Sequence, residues 1–235
     1  MSNGPTPNPV IVALDVATAA EARAIVNACG DSIGFYKVGM ELYAAEGMPI
    51  VRELIEQGKD VFLDLKFYDI PETVKRATAQ VAKAGVKLLT VHASKTVMRA
   101  AMEGKGEAKG DSALRILGVT VLTSFDETDL ADLGYTRTPA DLVRHLVAKG
   151  IEANVDGFVC SPLEVAEVRA ATGPGKILVT PGVRPAGSDT GDQKRVATPA
   201  QAIANGASYL VIGRPITRAA DPAQAARNLL LELAV

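Results

Sequence analysis

The chain has 235 residues, of which 48% are hydrophobic and only 4% aromatic, and a net charge of −2. That length allows one large domain or two small ones, and the interspersed, near-neutral charge gives no electrostatic footprint for nucleic acid or an anionic membrane. Cys29 and Cys160 form no CxxC, and with His92 and His145 they have no zinc spacing; they are expected to be small buried residues of a reducing cytosol.

No apolar run reaches the roughly 18 residues that a membrane span needs. Residues 1–9 are rich in Pro, Asn and Gly, with neither a basic n-region nor an apolar h-region. They are expected to form a flexible N-terminal tail rather than a signal peptide. From Val10 onward, strand and helix patterns alternate. Strands are predicted over 10–15, 34–39, 60–65, 87–92, 115–122, 155–159, 176–180 and 208–212. They are short, rich in Val, Ile and Leu and mostly unalternated, as parallel strands covered on both faces should be.

Helical segments follow each strand. Thr18-Ala19-Ala20-Glu21 reads as a capping box. Ser161-Pro162-Leu163-Glu164 and Thr198-Pro199-Ala200-Gln201 add Pro at the first helical position. Asp221-Pro222 opens a last helix over 222–234, and Gly58, Gly85 and Gly150 are expected to close helices. No composition break marks a linker. Eight β-α units in one chain predict an α/β fold of (β/α)8 TIM-barrel type, a single domain over 10–235. The alternative is an open doubly wound sheet, but no strand is followed by a G-x-G-x-x-G turn.

Chemistry in such a barrel sits at the C-terminal ends of the strands. Asp15 ends strand 1, Lys37 lies near the end of strand 2, and Asp64 and Lys66 end strand 3. Two residues apart, Asp64 and Lys66 are expected on one strand face. Carboxylates flanking Lys66 favour its ammonium form, which suits a proton donor or electrostatic stabiliser rather than a Schiff-base nucleophile. Asp69-Ile70-Pro71-Glu72 reads from spacing alone as a helix N-cap. No metal site is expected, because the acids are interleaved with lysines that neutralise them. His92 ends strand 4, and a site role and a structural hydrogen-bonded role both remain open for it.

Strand 7 runs into Thr180-Pro181-Gly182-Val183-Arg184-Pro185, and a long small-residue stretch, 186–195, follows. Strand 8 runs into Gly213-Arg214-Pro215-Ile216. Barrels often bind phosphate with the loops after strands 7 and 8. Glycine exposes backbone N–H groups there, and Arg can fork a pair of phosphate oxygens. The 186–195 stretch has the length of a closing loop. A phosphorylated substrate with its reactive end at the Asp/Lys cluster is the expectation.

The run Asp64-Leu65-Lys66-Phe67-Tyr68-Asp69-Ile70-Pro71-Glu72-Thr73 resembles the D-x-K-x-x-D-I-P-x-T signature of the orotidine 5′-monophosphate decarboxylase family. Ala13-Leu14-Asp15, Lys37-Val38-Gly39, Val121-Leu122-Thr123-Ser124 and the two Arg-bearing turns support the resemblance, which runs from Val10 to about Ala234. It implies a cofactor-free cytoplasmic enzyme of pyrimidine synthesis that converts orotidine 5′-monophosphate to UMP and carbon dioxide. Lys66 would be the proton donor, with Asp64 beside it. Lys37 and Asp15 would contact the ribose, and Thr123 would face the pyrimidine. Arg184, Gln193, Gly213 and Arg214 would hold the phosphate. The resemblance also implies a homodimer with shared active sites, Asp69 entering the partner's site with Ile70 and Thr73, against the helix-cap reading. Rival readings are metal-dependent sugar-phosphate decarboxylases and hexulose-phosphate synthases, a Schiff-base aldolase, and a non-catalytic nucleotide-binding barrel.

Overall fold

Every one of the eight apolar runs becomes a strand. The computed structural model describes residues 8–108, 113–184 and 197–233. Its strands are β1 (Val10–Ala13), β2 (Phe35–Gly39), β3 (Asp60–Phe67), β4 (Leu88–His92), β5 (Arg115–Val119), β6 (Gly157–Val159), β7 (Ile177–Thr180) and β8 (Tyr209–Ile212). All neighbours pair in parallel in chain order, and β8 closes on β1 in the register Val10↔Leu210, Ile11↔Val211, Val12↔Ile212. The fold is therefore a (β/α)8 TIM barrel, and the open doubly wound sheet is excluded.

Strand pleating divides the apolar side chains into two layers. Ile11, Ala13, Phe35, Phe62, Leu88, Leu117, Val179 and Val211 fill the barrel interior. The alternate residues, among them Val12, Tyr36, Leu63, Leu89 and Phe158, pack outward with the helices in the main core. Both cysteines are buried and outside any disulfide, and burial pushes the Cys29 thiol above its ordinary value.

Several helix signals act as expected. Thr18 and Glu21 form the reciprocal capping box of helix Ala19–Cys29. Thr198 caps Pro199–Ala204 from its side chain. Asp221 accepts the Gln224 N–H ahead of helix Pro222–Leu233. Gly58 and Gly85 follow their helices at φ +75° and +85°, in the left-handed region that favours glycine.

Two signals act differently. Gly150 does not close a helix; it lies inside Pro139–Glu152, where a Cβ would come within 2.2 Å of the Phe158 ring. Its smallness makes room for that buried ring, and Asn154, at φ +57°, makes the left-handed turn instead. The Ser161–Glu164 box forms its bonds in a turn that precedes the helix: Ser161 N–H donates to Glu164 Oε2 at 3.1 Å, and the helix itself is Val165–Thr172.

Of the expected tail, residues 1–7 lie outside the described residues. Asn8 and Pro9 are tied down, Asn8 Nδ2 donating to Ser32 O and Leu210 N–H donating to Pro9 O. The 186–195 stretch, Gln193 included, also lies outside the described residues.

Candidate active site

Continuing each inward-facing row by one pleat places a polar layer above the apolar plug. Two residues beyond Ala13, Phe35, Phe62 and Leu88 come Asp15, Lys37, Asp64 and Thr90. The Lys37 Nζ lies 2.7 Å from Asp15 Oδ1 and 3.9 Å from Asp64 Oδ2, and Lys66 Nζ donates to Asp64 Oδ1 at 2.9 Å. The four side chains thus form one chain of alternating charge, Asp15–Lys37–Asp64–Lys66. The Lys37 and Asp64 side chains are only 9% and 15% exposed, so solvent screens this contact far less than a surface pair. Gly39 leaves space for it: a Cβ there would sit 2.8 Å from Lys37 Nζ and 2.9 Å from Asp15 Oδ1.

The third strand is not regular at this point. It runs two residues beyond the predicted end, and its register against β4 shifts between Leu63↔Leu89 and Phe67↔Val91. Asp64, Leu65 and Lys66 therefore bulge opposite the single residue Thr90. Lys66 has φ +50°, a left-handed conformation unusual for a side-chain-bearing residue. Asp64 and Lys66 meet because a bulge re-aims the lysine, not because they are neighbours on a flat strand face. Strain of this kind recurs at functional sites and persists only where surrounding contacts hold it.

A cavity of about 760 Å³ opens above this layer, within the range of small-molecule sites. Asp15, Lys37, Asp64 and Lys66 line one part of it. Thr123 and Ser124 line another, and Arg184, Gly213 and Arg214, from the turns after β7 and β8, line a third. Gly182, at φ +75°, turns the chain after β7. Arg184 N–H then donates to Ala197 O at 3.0 Å, so the two ends of the β7 loop are joined at the cavity rim.

Asp69, Ile70 and Thr73 do not join this cavity within the chain. All three are exposed, Ile70 by 69% and its neighbour Tyr68 by 70%. Asp69 is also not the helix cap that its spacing suggested. Pro71 opens helix Pro71–Lys83, so the cap position falls on Ile70, which makes no side-chain cap bond. Asp69 Oδ1 accepts the Ile70 N–H, and Glu72 is engaged by Arg76. Sequence reasoning missed Thr90 and Gly39; a lone hydroxyl inside the buried run Leu-Leu-Thr-Val-His was the available signal for Thr90.

Eight parallel strands carrying a compensated lysine–aspartate chain and two arginines at their C-terminal ends define a barrel with a charged cavity of small-molecule size at that rim. The chain belongs to the Orotidine 5'-phosphate decarboxylase / HUMPS family, whose sequence model matches residues 8–229. It is 51% identical to the orotidine 5'-phosphate decarboxylase of Rhodopseudomonas palustris (strain BisB5) over 225 residues, 96% of this chain and 94% of that one. It is 48% identical to the protein of the same name from Methylobacterium nodulans, covering 97% and 98% of the two chains. The crystal structure of orotidine 5'-phosphate decarboxylase from Lactobacillus acidophilus superposes with a TM-score of 0.86 at 36% identity, covering 97% of this chain and all of that one.

His92 stands beside the charged layer. Its ring meets the Tyr68 ring edge-on, with centroids 5.3 Å apart. Burial, and secondarily the Lys66 charge, lower its pKa below the usual histidine value. A histidine held down in the folded state stabilises the fold above its unfolded pKa; that contribution is lost as pH falls from about 6.5 through the folded value. Urea denaturation at about pH 7.5 and about pH 5.5 is expected to show the wild type losing more stability on acidification than His92→Asn. Equal losses would mean that His92 carries no such penalty.

Proposed function

We propose that this protein is an orotidine 5′-monophosphate decarboxylase, an enzyme of pyrimidine biosynthesis that releases carbon dioxide from C6 of the substrate ring and yields UMP. The observation that carries this reading is the Asp15–Lys37–Asp64–Lys66 chain in one cavity with Arg184 and Arg214. Its members balance formally to zero, and the guanidinium groups of Arg184 and Arg214 have the fork geometry that suits a phosphate.

Breaking the C6–carboxylate bond leaves an electron pair in the plane of the ring, where the π-system cannot accept it. The protein must then stabilise that charge directly. The Lys66 ammonium does so as a preorganised cation and passes its proton to C6, becoming a neutral amine that solvent reprotonates. Asp64 holds Lys66 at 2.9 Å and stands near the departing carboxylate, a repulsion relieved as carbon dioxide forms. Lys37 and Asp15 bind the ribose, Thr123 faces the pyrimidine, and Arg184, Gln193, Gly213 and Arg214 hold the phosphate. Binding energy gathered at that remote phosphate goes into positioning C6 at the lysine. The reaction so written needs no cofactor and no metal.

The family description also covers HUMPS proteins. Lys37 favours the decarboxylase, since it occupies the strand on which the metal-dependent rivals are expected to carry an acidic ligand. Loss of orotidine 5′-monophosphate absorbance in excess chelator is the test. Wild type is expected to turn over at full rate, and Lys66→Ala to be slower by at least about a thousandfold while still binding UMP. Chelator-sensitive turnover, or near-normal turnover by Lys66→Ala, would refute the mechanism.

We further infer a homodimer in which Asp69, Ile70 and Thr73 complete the partner's site. Their exposure supports it, as do the exposed apolar side chains of Met40, which lines the cavity, and of Tyr68 and Ile70 just after β3. We assign the protein to the cytoplasm; two buried cysteines outside any disulfide suit that compartment, and among the described residues no helix is long and apolar enough to cross a membrane. Mixing and re-equilibrating inactive Lys66→Ala and Asp69→Ala chains is expected to restore about a quarter of wild-type activity, because half the random dimers carry one intact site of two. No restoration, with subunit exchange shown separately, would contradict shared sites.

A further inference from the structure

We propose that Thr90 is a positioning residue for the decarboxylation, acting through Asp64 and Lys66; this rests on the decarboxylase reading above. Thr90 lies on β4, faces the barrel interior one pleat above Leu88, and is fully buried. It stands opposite the bulge where β3 loses register with β4. There the regular ladder offers Lys66 no strand partner, and Thr90 Oγ1 accepts the Lys66 N–H at 3.0 Å. The same hydroxyl reaches Asp64 Oδ1 at 2.9 Å.

Proton counting fixes the direction of both bonds. A backbone N–H only donates, so Thr90 Oγ1 accepts from it, and its single proton goes to the ionised carboxylate, which only accepts. One side chain therefore holds the backbone of Lys66 and the carboxylate of Asp64 at once. Asp64 Oδ1 in turn receives Thr90 and the Lys66 ammonium, which leaves Oδ2 toward Lys37 at 3.9 Å. The left-handed φ of Lys66 needs such an external hold. Without the hydroxyl, a part-buried N–H loses its acceptor and the bulge gains a reason to relax. Near-attack geometry is sensitive to displacements of about 1 Å, so the effect should fall on the chemical step.

Two substitutions separate positioning from packing. Thr90→Val keeps the shape and removes both bonds; Thr90→Ser keeps both bonds and removes a methyl group. Positioning predicts that Val lowers kcat about 10- to 100-fold with UMP affinity changed by less than about threefold, while Ser stays within about threefold of wild-type kcat. Amide exchange of Lys66, followed by NMR, is expected to be faster in the Val variant and unchanged in the Ser variant. Packing predicts the reverse order, with Val near wild type and Ser impaired, and that order would overturn the proposal. Thr90→Ala, which removes the same hydroxyl, replaces the valine variant should that one not fold. Wild type that fails to decarboxylate orotidine 5′-monophosphate sinks the functional reading instead; the Lys66 amide then decides the role of Thr90, and equal exchange in all variants overturns it.

Discussion

The contact on which the rest of the structure converges is the Asp64 carboxylate held between two lysines. Lys66 meets one oxygen at 2.9 Å and Lys37 stands 3.9 Å from the other, with Asp15 behind Lys37 at 2.7 Å. Such a group is costly to bury and does little for stability on its own: apolar replacements of buried ion pairs are often neutral or stabilising. The barrel can carry it because eight strands fill the interior below with Phe, Leu, Ile and Val. That plug gives an apolar floor, and the charges stand one pleat above it, lining the cavity. Removing one member leaves its partner short of compensation in a poorly screened place.

Most of this was legible in the chain. Unalternated apolar runs separated by helix signals specify parallel strands covered on both faces, and eight of them specify closure. Asp15, Lys37 and Asp64 were locatable because each follows an apolar run by the one-pleat step that sends it inward. Lys66 was found, but for a simpler reason than the true one. Counting by two suggested a flat strand face, whereas a bulge and a left-handed backbone aim it. A bulge arises from pairing between β3 and β4, and one strand's sequence does not encode its register against another.

The same limit explains Thr90 and Gly150. Thr90 reads as an ordinary strand residue until the register places it opposite three residues of its neighbour. Gly150 reads as a helix stop until the Phe158 ring is seen filling the space that its missing side chain leaves. Asp69 misled in another way: its spacing matched a cap, but Pro71 set the first helical residue and left Asp69 one position too early. The short helix Glu127–Asp132 carries an Asp126–Asp129 capping box that lies open in the sequence. Local signals of this kind are readable; those that depend on a partner strand or a packed ring are not.

The task proposed for Lys66 is to stabilise and protonate a carbanion at C6. Microscopic reversibility makes that task measurable without decarboxylation. In deuterium oxide, a neutral Lys66 amine removes the C6 proton of bound UMP, the resulting ammonium exchanges with solvent, and deuterium returns to C6. NMR of UMP incubated with the protein at alkaline pD is the most direct test. Exchange at C6 with the wild type, and its loss with Lys66→Ala, is the expected result. Exchange at equal rates with both proteins, or with neither while UMP remains bound, would contradict the role given to Lys66.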